Sequence, residues 1–174
     1  DAALRTVANT LRSKTPEILE ANAKDIAAAN ESGLAPAMID RLTLTEDRVE
    51  DMAKGVEEIA SFPNPLGRIL ENRKMTNGAD ISRVTVPIGA VLFIFESRPN
   101  VTIDGAALCF KSGNAVILRG GKESIHSSGL LGEIFRSGLE AHGVDANAVQ
   151  LVETTDREVV SFLLQADHAL DLVI

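Results

Sequence analysis

The sequence predicts an α/β fold: a parallel sheet with crossover helices, preceded by an all-helical segment and a β-hairpin. From residue 86 onward, short apolar runs of strand length alternate with longer runs of helical spacing, which is typical of βαβ units. Two of the apolar runs are followed by polar turns, ESRPN (residues 96–100) and RGGKE (residues 119–123). Ligands bind beyond the carboxyl ends of strands in open parallel sheets, so these turns predict a ligand-binding edge.

The helical segment is predicted from apolar spacing and from helix-start signals. Apolar residues in 4–11 recur at i, i+3, i+4 and i+7, which places them on one helix face. Residues 15–17 (Thr-Pro-Glu) combine a hydroxyl cap, a proline at the first helical position and an acid in the first turn. This second helix is expected to reach about Asn30 and to stop at Gly33.

A third helix is predicted to open at residues 45–47 (Thr-Glu-Asp) and to carry an apolar stripe over 49–60. The Phe-Pro-Asn-Pro sequence at 62–65 ends it. Strand-like runs at 68–75 and 81–86 are then joined through Asn-Gly at 77–78, a strong hairpin signal. A hairpin outside a parallel sheet is often an oligomer contact.

The remaining elements alternate along the chain. Strands are predicted at 90–95, 115–118, 149–152 and 171–174, and helices at 102–112, 124–141 and 156–165. Gly113 and Gly143 follow two of these helices as stop signals.

Composition excludes several classes of function. The chain has 17 basic and 25 acidic residues, and its net charge of −8 argues against a nucleic-acid partner, which would need a broad basic face. Its three histidines lack metal-ligand spacing, so no metal site is expected.

The single cysteine and the hydropathy pattern bear on location. One cysteine cannot form an internal disulfide, and a reducing cytoplasm is the simplest interpretation. No apolar run approaches the roughly 20 residues that span a bilayer, and no signal peptide is visible. The chain begins without Met inside a helical pattern and stops in an apolar run, so we expect a segment of a longer protein.

The RGGKE turn has the features of a small-anion site. Gly120 and Gly121 allow the backbone to approach a ligand, and Arg119 and Lys122 supply positive charge. The helix that follows is expected to offer free N–H groups to an anion. An ordinary solvated turn is the competing interpretation. The spacing fits neither a Walker loop nor a G-x-G-x-x-G turn.

The ESRPN turn places an amide side chain at the end of a very apolar strand. Pro99 fixes the turn, and Asn100 could donate a hydrogen bond to a developing oxyanion. Alternatively, Asn100 only caps the following helix. Cys109 lies within that helix among apolar residues and is interpreted as a core residue, not a nucleophile.

The run VPIGAVLFIFESRPNVTIDGAALCFKSGNAVILRGGKESIHS resembles the γ-glutamyl phosphate reductase (glutamate-5-semialdehyde dehydrogenase) family of the aldehyde dehydrogenase superfamily. It is equally similar to the reductase half of bifunctional pyrroline-5-carboxylate synthase. ESRPN and LRGGKE together carry the resemblance, and ANAKDIAAAN, IDRLTLT, AVQLVETTDREVV and HALDLVI extend it. It implies the Rossmann-like parallel sheet of the aldehyde dehydrogenase fold.

The resemblance also implies an activity. The family reduces γ-glutamyl phosphate to glutamate-5-semialdehyde with NADPH and releases phosphate, in proline biosynthesis. A cysteine thiolate of the family attacks the acyl phosphate. The implied partners are this small-molecule substrate, further copies in a homo-oligomer, and glutamate 5-kinase.

Site residues follow from the same resemblance. Asn100 matches the asparagine that helps to hold the oxyanion. Arg119 aligns with a strand-end lysine near the adenosine ribose, and Lys122 aligns with the acid that binds the ribose, which favours NADPH over NADH by charge. Glu123 beside Lys122 weakens that inference. The expected cofactor-binding set is Phe95, Glu96, Ser97, Arg119, Gly120, Gly121 and Lys122.

The chain departs from the family in one respect. The family's nucleophilic cysteine lies downstream of Ile174, and Cys109 does not match it. We therefore expect residues 1–174 to form most of the NADP-binding half without the catalytic domain, and to be inactive alone. Within it, 1–65 is the helical segment, 66–86 the oligomerisation hairpin and 87–174 the βα units. A non-catalytic module for nucleotide binding or subunit association, or another reductase of the superfamily, remains the alternative.

Overall fold

The computed structural model describes all 174 residues. The helical segment consists of α1 (Ala2–Ser13), α2 (Thr15–Glu31), α3 (Pro36–Leu42) and α4 (Glu46–Ser61). The hairpin consists of β1 (Ile69–Lys74) and β2 (Asp80–Val84). The βα units are β3 (Ala90–Ile94), α5 (Asn100–Lys111), β4 (Ala115–Arg119), α6 (Ile125–Glu140), β5 (Val149–Leu151), α7 (Glu158–Leu164) and β6 (Leu172–Val173).

The sheet of the βα units is entirely parallel, which confirms the predicted fold class. Its strand order is β5-β4-β3-β6, with Val91 opposite both Val116 and Leu172. Helix α5 connects β3 to β4, and α6 connects β4 to β5. All carboxyl ends of these strands therefore lie at one edge of the sheet.

The helical segment packs on the sheet through α6. Helix α1 lies between α4 and α6 and buries Leu4, Val7 and Leu11 completely. Glycine at 138 on α6 permits this approach, because a Cβ atom there would overlap the Val7 side chain. One continuous apolar core therefore joins the helical segment to the βα units.

Two helix starts test the capping predictions. The hydroxyl of Thr45 accepts a hydrogen bond from the Arg48 N–H at 3.2 Å and caps α4, whose predicted start at 45–47 is confirmed. The predicted Thr15 cap is wrong. Helix α2 follows α1 after the single residue Lys14, so Thr15 lies in the first turn and its hydroxyl donates back to the Leu11 and Arg12 carbonyls.

The short helix α3 was not predicted. It begins with Pro36 at its first position, and only Leu42 among its seven residues is buried. An element of this length has too few buried positions for an apolar period to be recognised. Its presence brings Met38 and Arg41 to the ligand-binding edge described below.

The hairpin of β1 and β2 projects from the rest of the molecule, as the Asn-Gly signal predicted. Every residue in both strands is exposed, including Ile69, Leu70, Ile81 and Val84. The strands pair antiparallel, with an irregularity in register between Ile69 and Glu71. Its role in oligomer contacts stays a prediction.

None of the helices combines the length and the apolar character needed to cross a membrane.

Candidate functional site

The two polar turns meet at the carboxyl edge of the sheet, where they border a cleft of about 490 Å³. Five of the predicted cofactor-binding residues line this cleft: Phe95, Glu96, Arg119, Gly121 and Lys122. Gly120 faces a smaller neighbouring cavity, and Ser97 is buried behind the cleft wall. The structure thus brings the predicted set together.

Arg119 ends β4 with its side chain largely buried. Its guanidinium donates one hydrogen bond, from Nη1 to the Gly120 carbonyl, while its buried Nε–H has no partner. Buried polar groups are almost always paired in native proteins. The unpaired donor therefore points to a ligand, or to water, in the cleft that Arg119 lines.

Glu123 connects the two turns, a role that the sequence did not predict. Its carboxylate accepts hydrogen bonds from the Ser97 N–H, at 3.1 Å, and from the Ser97 hydroxyl. Ser97 has a positive φ of 37°, an uncommon conformation for a non-glycine residue that this pair of bonds holds in place. A Cβ atom at Gly121 would overlap the same carboxylate, so a larger residue there would displace the Glu123 side chain from Ser97.

Glu123 lines the same cleft as Lys122, and both charges bear on the ligand that the cleft can hold. Burial alone would raise the pKa of Glu123, but hydrogen bonds from Ser97 and from its own backbone, with the charge of Lys122, lower it below its ordinary value. Glu123 therefore stays ionised, with Ser97 as its hydrogen-bond donor. Its charge still opposes an anion beside Lys122, as expected from the sequence.

The start of α6 is not available to an anion, contrary to the sequence prediction. Asp25 of α2 accepts hydrogen bonds from the His126 N–H at 3.0 Å, the Ser127 N–H at 2.8 Å and the Ser127 hydroxyl at 2.6 Å. This carboxylate is 2% exposed and takes the place that a ligand's anionic group would occupy. A short 3₁₀ turn, Lys122–Ser124, contains the last two residues of RGGKE and leads into the helix.

Asn100 is the first residue of α5, and it does not cap the helix with its side chain. Its amide Nδ2 instead donates to Asp104 Oδ2 at 3.0 Å. This bond uses one of the two amide hydrogens and orients the other. Burial raises the pKa of Asp104, and the hydrogen bond from Asn100 opposes that shift.

Asn100 and Asp104 face a second cavity, of about 370 Å³, which Arg98 of the ESRPN turn also lines. Cys109, which follows Asp104 by about one and a half turns of α5, lines neither cavity and is 7% exposed. Burial raises the pKa of its thiol, which disfavours the nucleophilic thiolate. The structure supports its interpretation as a core residue.

The sequence interpretation missed a third contribution to the cleft. Thr155, Arg157 and Ser161 line it from the turn after β5 and from α7. The available signal was positional: this turn follows a third parallel strand and must reach the same edge.

Comparison with known proteins gives a consistent result. No family model matches the chain. The chain is 51% identical over 174 residues to gamma-glutamyl phosphate reductase of Paramagnetospirillum magneticum, covering 100% of the chain and 41% of that protein. It is 54% identical over 172 residues to the enzyme of the same name from Erythrobacter litoralis, covering 99% and 41%.

Solved structures agree. The crystal structure of gamma-glutamyl phosphate reductase from Thermotoga maritima matches with a TM-score of 0.96 at 35% identity, covering 99% of this chain and 42% of that one. The Saccharomyces cerevisiae enzyme matches with a TM-score of 0.90 at 38% identity, covering 98% and 44%. Succinic semialdehyde dehydrogenase from Streptococcus pyogenes, solved with NADP+, shares the fold, with a TM-score of 0.60 at 18% identity over 99% of this chain and 34% of that one.

The chain spans about two fifths of the length of the curated relatives that it matches. Because the sequence and the fold both match over the whole of this chain, it is a homologue of the gamma-glutamyl phosphate reductases, and its fold is that of the aldehyde dehydrogenases.

Proposed function

We propose that this chain provides the cofactor-binding part and the oxyanion donor of an NADPH-dependent enzyme that reduces γ-glutamyl phosphate to glutamate-5-semialdehyde and releases phosphate, in proline biosynthesis. The observation that carries the proposal is the cleft formed by ESRPN and RGGKE in a chain about 50% identical to reductases of this name.

The residues that line the cleft fit a dinucleotide. The buried Arg119 Nε–H lacks a partner, and Lys122 is exposed beside it on the wall of the cleft. A hydroxyl or phosphate oxygen would satisfy the Arg119 donor. These residues match the polar and anionic groups of a nucleotide ribose and its phosphate.

Each residue then has a defined task. Bound NADPH supplies the hydride. Lys122 and Arg119 bind the ribose end and favour a 2′-phosphate by charge, while Phe95, Glu96 and Ser97 shape the wall between the cleft and the substrate. Asn100 donates its second amide hydrogen to the acyl oxygen as negative charge develops on it. The family's nucleophilic cysteine is not Cys109.

The activity itself is tested in the complete protein by NADP+ reduction in the reverse direction, with glutamate-5-semialdehyde and phosphate as substrates. Phosphate-dependent formation of NADPH is the expected result. A complete protein that binds NADPH but shows no turnover would instead identify a non-catalytic nucleotide-binding module.

Lys122→Ala is expected to weaken NADPH binding by roughly one to two decades and to leave NADH binding nearly unchanged, because a charge-assisted contact to a phosphate is lost. Paired titrations of NADPH and NADH measure the effect, with Lys74→Ala on the exposed hairpin as the matched control. Equal losses for both cofactors would place Lys122 at the pyrophosphate or in loop support. Unchanged binding of both would make RGGKE an ordinary solvated turn.

Cys109→Ala is expected to leave turnover of the complete enzyme nearly intact, because Cys109 packs in the core and lines neither cavity. The measurement is kcat for the semialdehyde, with circular dichroism to show that the variant is folded. A folded variant without activity would contradict the assignment of Cys109 to the core.

Association and location complete the proposal. The hairpin serves a contact between copies of the protein, and its exposed Ile69, Leu70 and Ile81 support this. Glutamate 5-kinase is the proposed associated enzyme, because an acyl phosphate must be supplied by a phosphotransferase. The single reduced cysteine supports a cytoplasmic location.

A further inference from the structure

The cavity beside Asn100 carries an unusual set of charges. It lies between the helical segment and the start of α5, and three arginines and three aspartates are among its ten lining residues. Its volume of about 370 Å³ is in the range of small-molecule sites. Whether the charges are already paired inside the protein decides what the cavity can bind.

One of the arginines is already paired within the protein. The Arg48 guanidinium donates to the Asp40 and Thr43 carbonyls at 2.5 and 2.6 Å and to the Asp40 carboxylate at 3.1 Å. Arg41 and Arg98, in contrast, are exposed and form no ion pair. The cavity therefore presents two cations that are available to an anionic group.

Asp104 is the complementary group. It is half-buried, and its one hydrogen-bond partner is the neutral Asn100 amide at 3.0 Å. No cation of the protein forms an ion pair with it. Burial raises the pKa of its carboxyl, as expected for a charge that lacks compensation. A ligand ammonium group would supply that compensation.

We propose that this cavity binds the amino-acid end of the substrate, with its α-ammonium group on Asp104 and its α-carboxylate on Arg98 and Arg41. The proposal rests on the proposed function and extends it from the reaction to substrate selection. Asp104 is bonded to Asn100, so a ligand held at Asp104 lies beside the proposed oxyanion donor. The dinucleotide and the substrate then contact different residues of the ESRPN turn, Glu96 in the cleft and Arg98 and Asn100 in this cavity.

Three stable ligands isolate the two charges. L-Glutamate carries both the α-ammonium and the α-carboxylate, glutarate lacks the ammonium, and 4-aminobutyrate lacks the α-carboxylate. In each, a remaining carboxylate stands at the end where the substrate carries its acyl phosphate. Calorimetric titration of the complete protein is expected to show L-glutamate binding about tenfold or more tightly than either analogue.

Two variants assign the charges to residues. Asp104→Asn is expected to abolish the preference for L-glutamate over glutarate and to keep the preference over 4-aminobutyrate. Arg98→Gln is expected to keep the preference for L-glutamate over glutarate and to reduce the preference over 4-aminobutyrate. The reduction should be partial because Arg41 remains. Asp47→Asn and Arg83→Gln, which lie outside the cavity on exposed positions, are the matched controls. Asn100→Ala removes the bond to Asp104 and should keep both preferences, so it separates charge recognition from local packing.

The outcomes are decisive. Equal affinities for the three ligands, no measurable L-glutamate binding, or variants that retain both preferences would overturn the proposal. Loss of all affinity in Asp104→Asn with a parallel loss in Asn100→Ala would show a structural role for Asp104 and would also overturn it. Selective L-glutamate binding without turnover of the semialdehyde would support this subsite and reject the proposed reaction. Turnover without the preferences would do the opposite.

Discussion

Asn100→Ala is expected to lower turnover of the complete enzyme by roughly 10²–10³-fold, the usual effect of removing one preorganised oxyanion donor. Asn100 begins α5 and lines the second cavity, and its bond to Asp104 fixes the amide so that one hydrogen remains free. Such a donor costs no reorganisation when charge develops on the acyl oxygen. The loss should therefore appear in kcat, while NADPH affinity stays near the wild-type value.

Steady-state kinetics with glutamate-5-semialdehyde and a parallel NADPH titration measure these quantities. Asn30→Ala is the matched control, because that amide is exposed and bonds only to the Ile26 carbonyl of its own helix. Wild-type kcat in Asn100→Ala would reduce Asn100 to a helix residue that supports Asp104. A large loss of NADPH affinity would place Asn100 on the cofactor instead.

Asp25→Ala is expected to lower the free energy of unfolding by about 3 kcal/mol. The carboxylate accepts three hydrogen bonds at the start of α6 while 2% exposed, so its removal strands the Ser127 N–H and hydroxyl among buried atoms. Asn22, one turn earlier on α2, hydrogen-bonds to Leu42, Leu44 and Ser127. Removal of the Asp25 carboxylate would therefore also disturb this buried hydrogen-bond network through Ser127.

Urea-induced unfolding followed by circular dichroism measures this change. Asp25→Asn, which keeps one accepting oxygen, should show an intermediate loss. Glu20→Gln is the control on the same helix, since its pair with Lys24 is exposed and of small energetic value. A midpoint for Asp25→Ala equal to that of the control would mean that water or the backbone satisfies the start of α6 equally well.

The sequence predicted the parallel sheet because its strands are apolar runs bounded by glycine and polar turns, and such runs have few alternative structures. It predicted most of the cleft for the same reason, since the turns that follow adjacent strands must meet at one edge. Helix α3 escaped notice because seven residues with one buried position give no recognisable period.

Contacts between distant residues were beyond sequence reasoning. The Asp25 carboxylate lies more than 100 residues from the helix start that it caps, and nothing near RGGKE indicates that this anion position is taken. Glu123 was judged by its neighbour Lys122, whereas its partner is Ser97, 26 residues earlier. Local patterns identify which residues are available, and only the packed chain determines which partner each one takes.

The hydrogen bonds between Glu123 and Ser97 also couple the two turns mechanically. Glu123 belongs to RGGKE, which borders the cleft, and Ser97 belongs to ESRPN, which borders the cleft and leads into Asn100 at the second cavity. A displacement of either turn strains these hydrogen bonds. Ligands in the two cavities would then have interdependent affinities, and thermodynamic linkage requires each ligand to change the affinity of the other by the same factor.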